Sequence, residues 1–220
     1  MAGHAGFDRL AFPGVAKMGV MKSTTNLKFC GYYLAPAPSR PTSGWMSQRV
    51  ALVGQGWGIA PLYVGQQTTG PGSHVVTEAQ GKRDGRDAVQ LMQSEGFSPG
   101  TWIYLDLENG SPFPTNQQKY VRAWVETIDN GNIYRGGVYC SHTIAHGVRT
   151  VCPSARLWVF KVTTTSPHPV PGPPYPTPNP SGSGIADAHI WQLHQNAQIQ
   201  VQGNTMIVDL NSGLTSDPGS

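Results

Sequence analysis

Two acids spaced two residues apart, Asp106 and Glu108, close the segment TWIYLDLENG at residues 101–110. The preceding residues read as a strand, and strand side chains alternate between faces. Both carboxylates therefore share one side with Trp102 and Tyr104, while Ile103, Leu105 and Leu107 form an aliphatic opposite face. Burying unpaired charge is costly, so a sheet core gains nothing from such a pair. Where a cavity opens at the strand end, the same pair suits acid/base chemistry on a sugar. Two further acids close strand-like runs: Asp8 in GFD and Asp209 in IVDLN. The competing role of the central pair is a solvated strand end or a salt bridge, and that of Asp8 and Asp209 a cap or a turn.

The elements that must position these acids are short apolar runs. They fall at residues 5–8, 28–34, 59–65, 101–108, 136–141, 156–162, 188–193 and 205–210. Eight such runs match the strand count of a closed β/α barrel, whose active-site face is built from strand C-terminal ends. Helical spacing occupies 75–95 (Ala88, Leu91, Met92) and 116–129 (Tyr120, Trp124, Ile128), the second after an expected N-cap at Thr115. Shorter helices are expected at 45–54 and 143–151. The proline-rich stretch at 166–184 excludes helix, and 194–204 reads as a turn. The expected fold is thus α/β: an irregular TIM-type barrel of eight strands, with helices mainly over the first five. One domain is the simplest count for residues 1–220, with 166–184 as a loop insertion rather than a linker.

Composition narrows the partners. Charged residues make up 12% of the chain, about half the usual roughly 25%. Gly (27) and Pro (19) are abundant, and the net charge of +3 is spread without a basic run, which argues against nucleic acid. No stretch reaches the roughly 20 apolar residues of a membrane span. The N-terminal MAGHAGFDRL lacks the pattern of a signal peptide, leaving a cytoplasmic protein or a mature or trimmed chain. Cys140 and Cys152 could pair and leave Cys30 free, or all three are buried thiols. His142, His146, His189 and His194 form no HExxH-type motif, so no metal is expected. GQGWG (residues 54–58) lacks the context of a phosphate loop, and no GxSxG is present.

The ordered set GFD, YLDLE, LWVFKV, HIWQL and VDLN resembles the family 25 glycoside hydrolases, the lysozyme-type muramidases. Within that clan it is most similar to the glycoside-hydrolase-like domain of unknown function in actinobacterial cell-wall-associated proteins. The resemblance spans residues 5 to 212 and implies a barrel of five β/α units followed by three strands. It implies that Glu108 is the general acid toward the leaving glycosidic oxygen. Asp106 would orient a 2-acetamido group that acts as internal nucleophile, and Asp8 and Asp209 would flank and tune the pair. Crowded carboxylates cannot all ionise cheaply, so one holds a proton near neutral pH. Tyr33, Tyr63, Tyr139, Trp158 and Trp191 are candidate sugar-stacking residues, with core packing as the competing role of each. Gln192 is a candidate hydrogen-bonding partner for substrate.

The function this implies is cleavage of an N-acetylated cell-wall glycan such as peptidoglycan, with no cofactor. The expected partner is a carbohydrate polymer, and the expected location is extracellular or at the cell wall. A glycan-binding module and a structural envelope protein on the same scaffold are the alternatives.

Overall fold

The computed structural model describes residues 2–70 and 72–220. In chain order the elements are β1 (His4–Asp8), α1 (Val15–Thr24), β2 (Phe29–Tyr33), α2 (Arg49–Gly54) and β3 (Gly58–Val64). Then come α3 (Glu78–Ser94), β4 (Trp102–Asp106), α4 (Thr115–Asn130), β5 (Arg135–Ser141), α5 (Ala145–Val151) and β6 (Arg156–Phe160). The chain ends with β7 (His168–Pro169), β8 (Ala188–Val201) and β9 (Asn204–Gly213).

Strands β1 to β6 are parallel neighbours in sequence order. β6 then pairs with β8, β8 with β9, and β9 with β1, which closes an eight-stranded barrel. Five β/α units are followed by three strands without intervening α-helices, as the proline content of 166–184 requires. The short β7 lies outside the barrel and pairs only with Ala197 and Gln198 of β8.

Helices α3 and α4 form as their periodicity predicts, with Tyr120, Trp124 and Ile128 buried along one stripe of α4. Thr77 caps α3 by accepting a hydrogen bond from Gln80 N at 3.2 Å. Thr115 is not the cap of α4: it is the first helical residue, and Pro114 precedes it in extended conformation. Helix α1 escapes the pattern because it buries only Met18 and Met21.

The stretch 194–204 is not a simple turn. β8 continues to Val201 and reverses at Gln202 and Gly203, both with positive φ, as a tight hairpin demands. β1 ends opposite β9 at the Asp8–Asp209 pair, so residues 204–208 stand above the barrel rim as a two-stranded arm. At the opposite end the C-terminal tail plugs the barrel. Trp102 N donates to Gly219 O at 2.7 Å, Ile59 N to Asp217 Oδ1 at 2.8 Å, and Tyr104 Oη to Pro218 O at 3.0 Å. One mouth is thereby sealed, and the other is left for the acids.

The proline-rich segment is strapped along the barrel wall. Tyr175 is buried, and its backbone exchanges hydrogen bonds with the side chain of Asn26 at 2.7 and 2.9 Å. Ser212 Oγ donates to Pro178 O at 2.6 Å. Cys30, Cys140 and Cys152 are all free and buried, so the Cys140–Cys152 pair does not form. Burial pushes the Cys140 and Cys152 thiols up to about 12, which keeps them protonated and unreactive. Among the described residues, no helix is long and apolar enough to cross a membrane.

Candidate active site

The open mouth of the barrel holds a cavity of about 460 Å³ lined by Asp8, Asp106, Glu108 and Asp209 together with Arg9, Tyr33, Gln67 and Asn196. Four acids from three distant parts of the sequence therefore meet in one layer. Asp8 and Asp106 end parallel strands, as strand-end reading predicts. Asp209 arrives differently. β9 runs antiparallel to β1, so Asp209 lies inside its strand and reaches the rim because it pairs opposite Asp8. Glu108 lies two residues beyond β4, and its carboxylate stays open to the cavity while that of Asp106 is buried.

Glycine makes room for this layer. A Cβ placed on Gly31 would sit 2.6 Å from Asp8 Cβ, so any larger residue in β2 would displace the Asp8 side chain.

Asp8 is the best-partnered of the four. It accepts hydrogen bonds from Tyr33 Oη and Asn211 Nδ2, each at 2.8 Å. The Asn211 amide is itself oriented by Trp158 Nε1, which donates to Asn211 Oδ1 at 2.9 Å. The chain Trp158–Asn211–Asp8–Tyr33 thus ties three strands to one carboxylate. Asp209 Oδ1 accepts from Asn196 N at 2.7 Å, at a residue whose φ of 56° turns its amide inward. Asp106 Oδ1 is buried and has no hydrogen-bond partner among the described residues. None of the ion pairs among the described residues involves the four acids.

Burial without cationic partners decides the protonation. Desolvation, and then the charges of its neighbours, raise the pKa of Asp106 well above the carboxylate range. Asp8 is raised by burial and by Asp209, against the lowering effect of Asn211 and Tyr33. Asp209 is pushed up to about 6 by burial. Glu108 is raised by the surrounding protein and then by the charge of Asp209, even though its carboxylate remains accessible from the cavity. The cluster holds protons near neutral pH, which is the state a general acid needs.

Gln67 was not legible in the sequence, yet it fixes the central pair. It is buried just past β3, donates Nε2 to Asp106 O at 2.8 Å, and accepts from Glu108 N at Oε1 at 3.0 Å. The β3–β4 ladder ends at the Val64–Asp106 pair, and the Gln67 amide extends it as a stand-in peptide group. Asn109 continues this zipper by accepting from Thr68 N at 3.0 Å. Gln67→Met is expected to remove both bonds and to speed hydrogen exchange at the Glu108 amide. Unchanged exchange at that amide would show that Gln67 does not hold Glu108.

Of the six candidate substrate contacts, Tyr33 lines the cavity. Tyr139 has its pKa raised by burial and then by the charges of the neighbouring acids, and it donates its hydroxyl to Gln192 Oε1 at 2.8 Å. Gln192 is itself buried. Trp158 does not line the cavity: it is fully buried, edge-on to Tyr104 at 5.5 Å and to Tyr139 at 5.4 Å. Tyr63 and Trp191 lie elsewhere. Tyr63 packs 6.2 Å from Trp124 of α4, and Trp191 donates to Lys161 O at 3.1 Å with its ring against Gly182. Among the described residues no group of three or more His, Cys, Asp or Glu side chains is arranged to hold a metal ion.

Known structures share this architecture. The Tat-secreted protein Rv2525c of Mycobacterium tuberculosis superposes with a TM-score of 0.63 at 21% identity, covering 98% of both chains. A bacterial lysozyme from Streptomyces coelicolor gives a TM-score of 0.64 at 14% identity, covering 98% of this chain and 94% of that one. A family 25 glycosyl hydrolase from Bacillus anthracis gives 0.59 at 12% identity, covering 97% and 90%. At these identities the likeness establishes the fold. No curated protein matches the chain in sequence. The family model of the Rv2525c-like, glycoside hydrolase-like domain matches residues 21–212, which contain Asp106, Glu108 and Asp209. The chain belongs to the family of Rv2525c-like, glycoside hydrolase-like domains.

Proposed function

We propose that this protein is a glycoside hydrolase that cleaves an N-acetylated cell-wall glycan, of which the β-1,4 bond of peptidoglycan is the leading candidate. The observation that carries the reading is the layer of four carboxylates at the open mouth, with no cation among the described residues paired to any of them. Such a layer serves no evident structural purpose, since it raises the cost of folding at neutral pH. It does keep a proton available in a cavity of oligosaccharide-binding size.

In this mechanism Glu108, the accessible carboxyl, protonates the glycosidic oxygen of the departing sugar. Buried Asp106 sits one strand step deeper and steadies the 2-acetamido group, whose oxygen attacks the anomeric carbon from within the substrate. Water then opens the resulting ring, with Glu108 as base. Asp209, when ionised, keeps the local charge negative, which favours the oxocarbenium-like transition state and raises the pKa of Glu108, and Asp8 anchors the layer through Tyr33 and Asn211. The structural likeness to lysozymes supports this choice of substrate, and an extracellular location agrees with it.

A pH profile of reducing-end release tests the proposal. A general acid with a raised pKa is active below that pKa, so turnover is expected to fall as pH climbs through the pKa of Glu108, which burial and the charge of Asp209 hold above the ordinary carboxylate value. Asp209→Asn removes a negative neighbour of Glu108. Glu108 then ionises more readily, and the falling limb is expected to move to lower pH. A limb that stays in place or moves upward would remove the coupling between these two acids from the mechanism.

A further inference from the structure

Among the residues that line the cavity, one carries a positive charge. Arg9 follows Asp8 directly, in the loop that leaves β1 for α1. Its guanidinium has no ion pair among the described residues and donates none of the hydrogen bonds found there, although four acids line the same cavity. None of its nitrogens is a buried unpaired atom, so the group is solvated at the rim. The charge of Arg9 is not among the causes that shift Asp106, Glu108 or Asp209. A free cation beside four acids that leave it unpaired is directed at something other than the protein.

The backbone around Arg9 is fixed. Trp45 Nε1 donates to Arg9 O at 2.9 Å, and Arg40 Nη2 donates to Leu10 O at 2.7 Å. Trp45 is itself fully buried against Phe7 and Phe12. The rim position of Arg9 is therefore set by two anchors, while its side chain is left unpaired. Next to it, Leu10 is 51% exposed, and Ile207 on the hairpin arm is 41% exposed, and both line the same mouth. The rim thus offers one cation flanked by apolar surface, above a floor that repels anions.

We propose that Arg9 is an anion subsite of the glycan cleft, which selects substrates carrying a carboxylate substituent and holds that group at the rim, away from the acid layer. This inference rests on the glycan reading above and names its substrate class more narrowly. A guanidinium pairs with a carboxylate through two parallel N–H donors, which a neutral sugar hydroxyl does not match. The four acids add discrimination in the other direction. An anionic group that slid to the floor would meet like charge, so only one orientation of an acidic sugar is favourable.

The test uses the full chain carrying Glu108→Gln, so that ligands are bound and not consumed. Two ligands of equal length are compared by calorimetry: an N-acetylglucosamine oligosaccharide, and an alternating N-acetylglucosamine–N-acetylmuramic acid oligosaccharide with free lactyl carboxylates. The acidic ligand is expected to bind about tenfold tighter, a preference that shrinks as salt is raised. Arg9→Met is expected to abolish the preference, and Arg9→Lys to keep part of it because charge remains without the fork. Equal affinity of the parent for both ligands would overturn the subsite while leaving the glycan reading in place. So would a preference that survives in Arg9→Met. A parent chain that binds neither ligand would overturn both readings.

Discussion

Glu108→Gln is expected to lower glycan turnover by about 10²- to 10⁴-fold, the usual contribution of a positioned general acid. The substitution is nearly isosteric and removes only the ability to give and retake a proton. Glu108 lies past the end of β4, its carboxylate open to the cavity, so no packed contact is lost. Its backbone remains held by Gln67 Oε1 at 3.0 Å. Fold, thermal stability and glycan binding should therefore be retained while kcat collapses. A variant that turns over at the parent rate would exclude Glu108 as the acid.

Asp106→Asn is expected to do two things at once: stabilise the protein at pH 7 and impair turnover. The Asp106 carboxyl is 3% exposed, has an unpartnered Oδ1, and has its pKa raised by burial and by Glu108, Asp8 and Asp209. At pH 7 the parent either buries that charge or takes up a proton on folding, and both routes cost stability. The amide avoids both, for a gain of about 1–3 kcal/mol. Each kcal/mol corresponds to about 2–4 °C in Tm for a chain of this size. The sign of the pH dependence follows from linkage. An acid whose folded pKa lies above its unfolded value stabilises the fold fully below the unfolded pKa, and that contribution is lost as pH rises through the folded one. The advantage of Asp106→Asn should therefore be largest at neutral pH and vanish as pH falls below the ordinary carboxylate value of about 4. A variant less stable than the parent at pH 7 would show that the acid layer is not strained. Such a trade of stability for function is what an active site built from unpaired acids implies.

The sequence carried the parts of this site that obey short periods. Alternation places Asp106 and Glu108 on one side, and the same rule applied to VDLN places Asn211 beside Asp209, although that asparagine is easy to overlook. Eight strand runs also follow from pattern, because each is mostly apolar and bounded by polar or helical stretches. What pattern does not show is direction. β9 reads like the other strands, and only its pairing with β1 reveals that it runs antiparallel and delivers Asp209 from within. Nor does it show contacts across long separations. Gln67 lies 39 residues from the carbonyl that it binds at Asp106, and a loop glutamine has no periodicity to betray it. The aromatic residues divide for the same reason. Tyr33 and Tyr63 both sit in apolar strands, but one faces the barrel interior and the other the helix layer. The hairpin of β8 and β9 does carry a signal: in QIQVQGNTM (residues 198–206) buried Ile199 and Val201 alternate with Gln198 and Gln200 ahead of the turn at Gly203, the period-two pattern of a strand with one buried face.

The most direct test of the central claim is incubation of the protein with purified peptidoglycan, followed by mass spectrometry of the soluble fraction and pull-down of the insoluble glycan. The account predicts fragments with new N-acetylated reducing ends from the parent chain and none from Glu108→Gln, with both proteins retained on the glycan. Retention of both without any fragment from the parent would contradict it, and would make this barrel a glycan-binding module whose acid layer performs no hydrolysis.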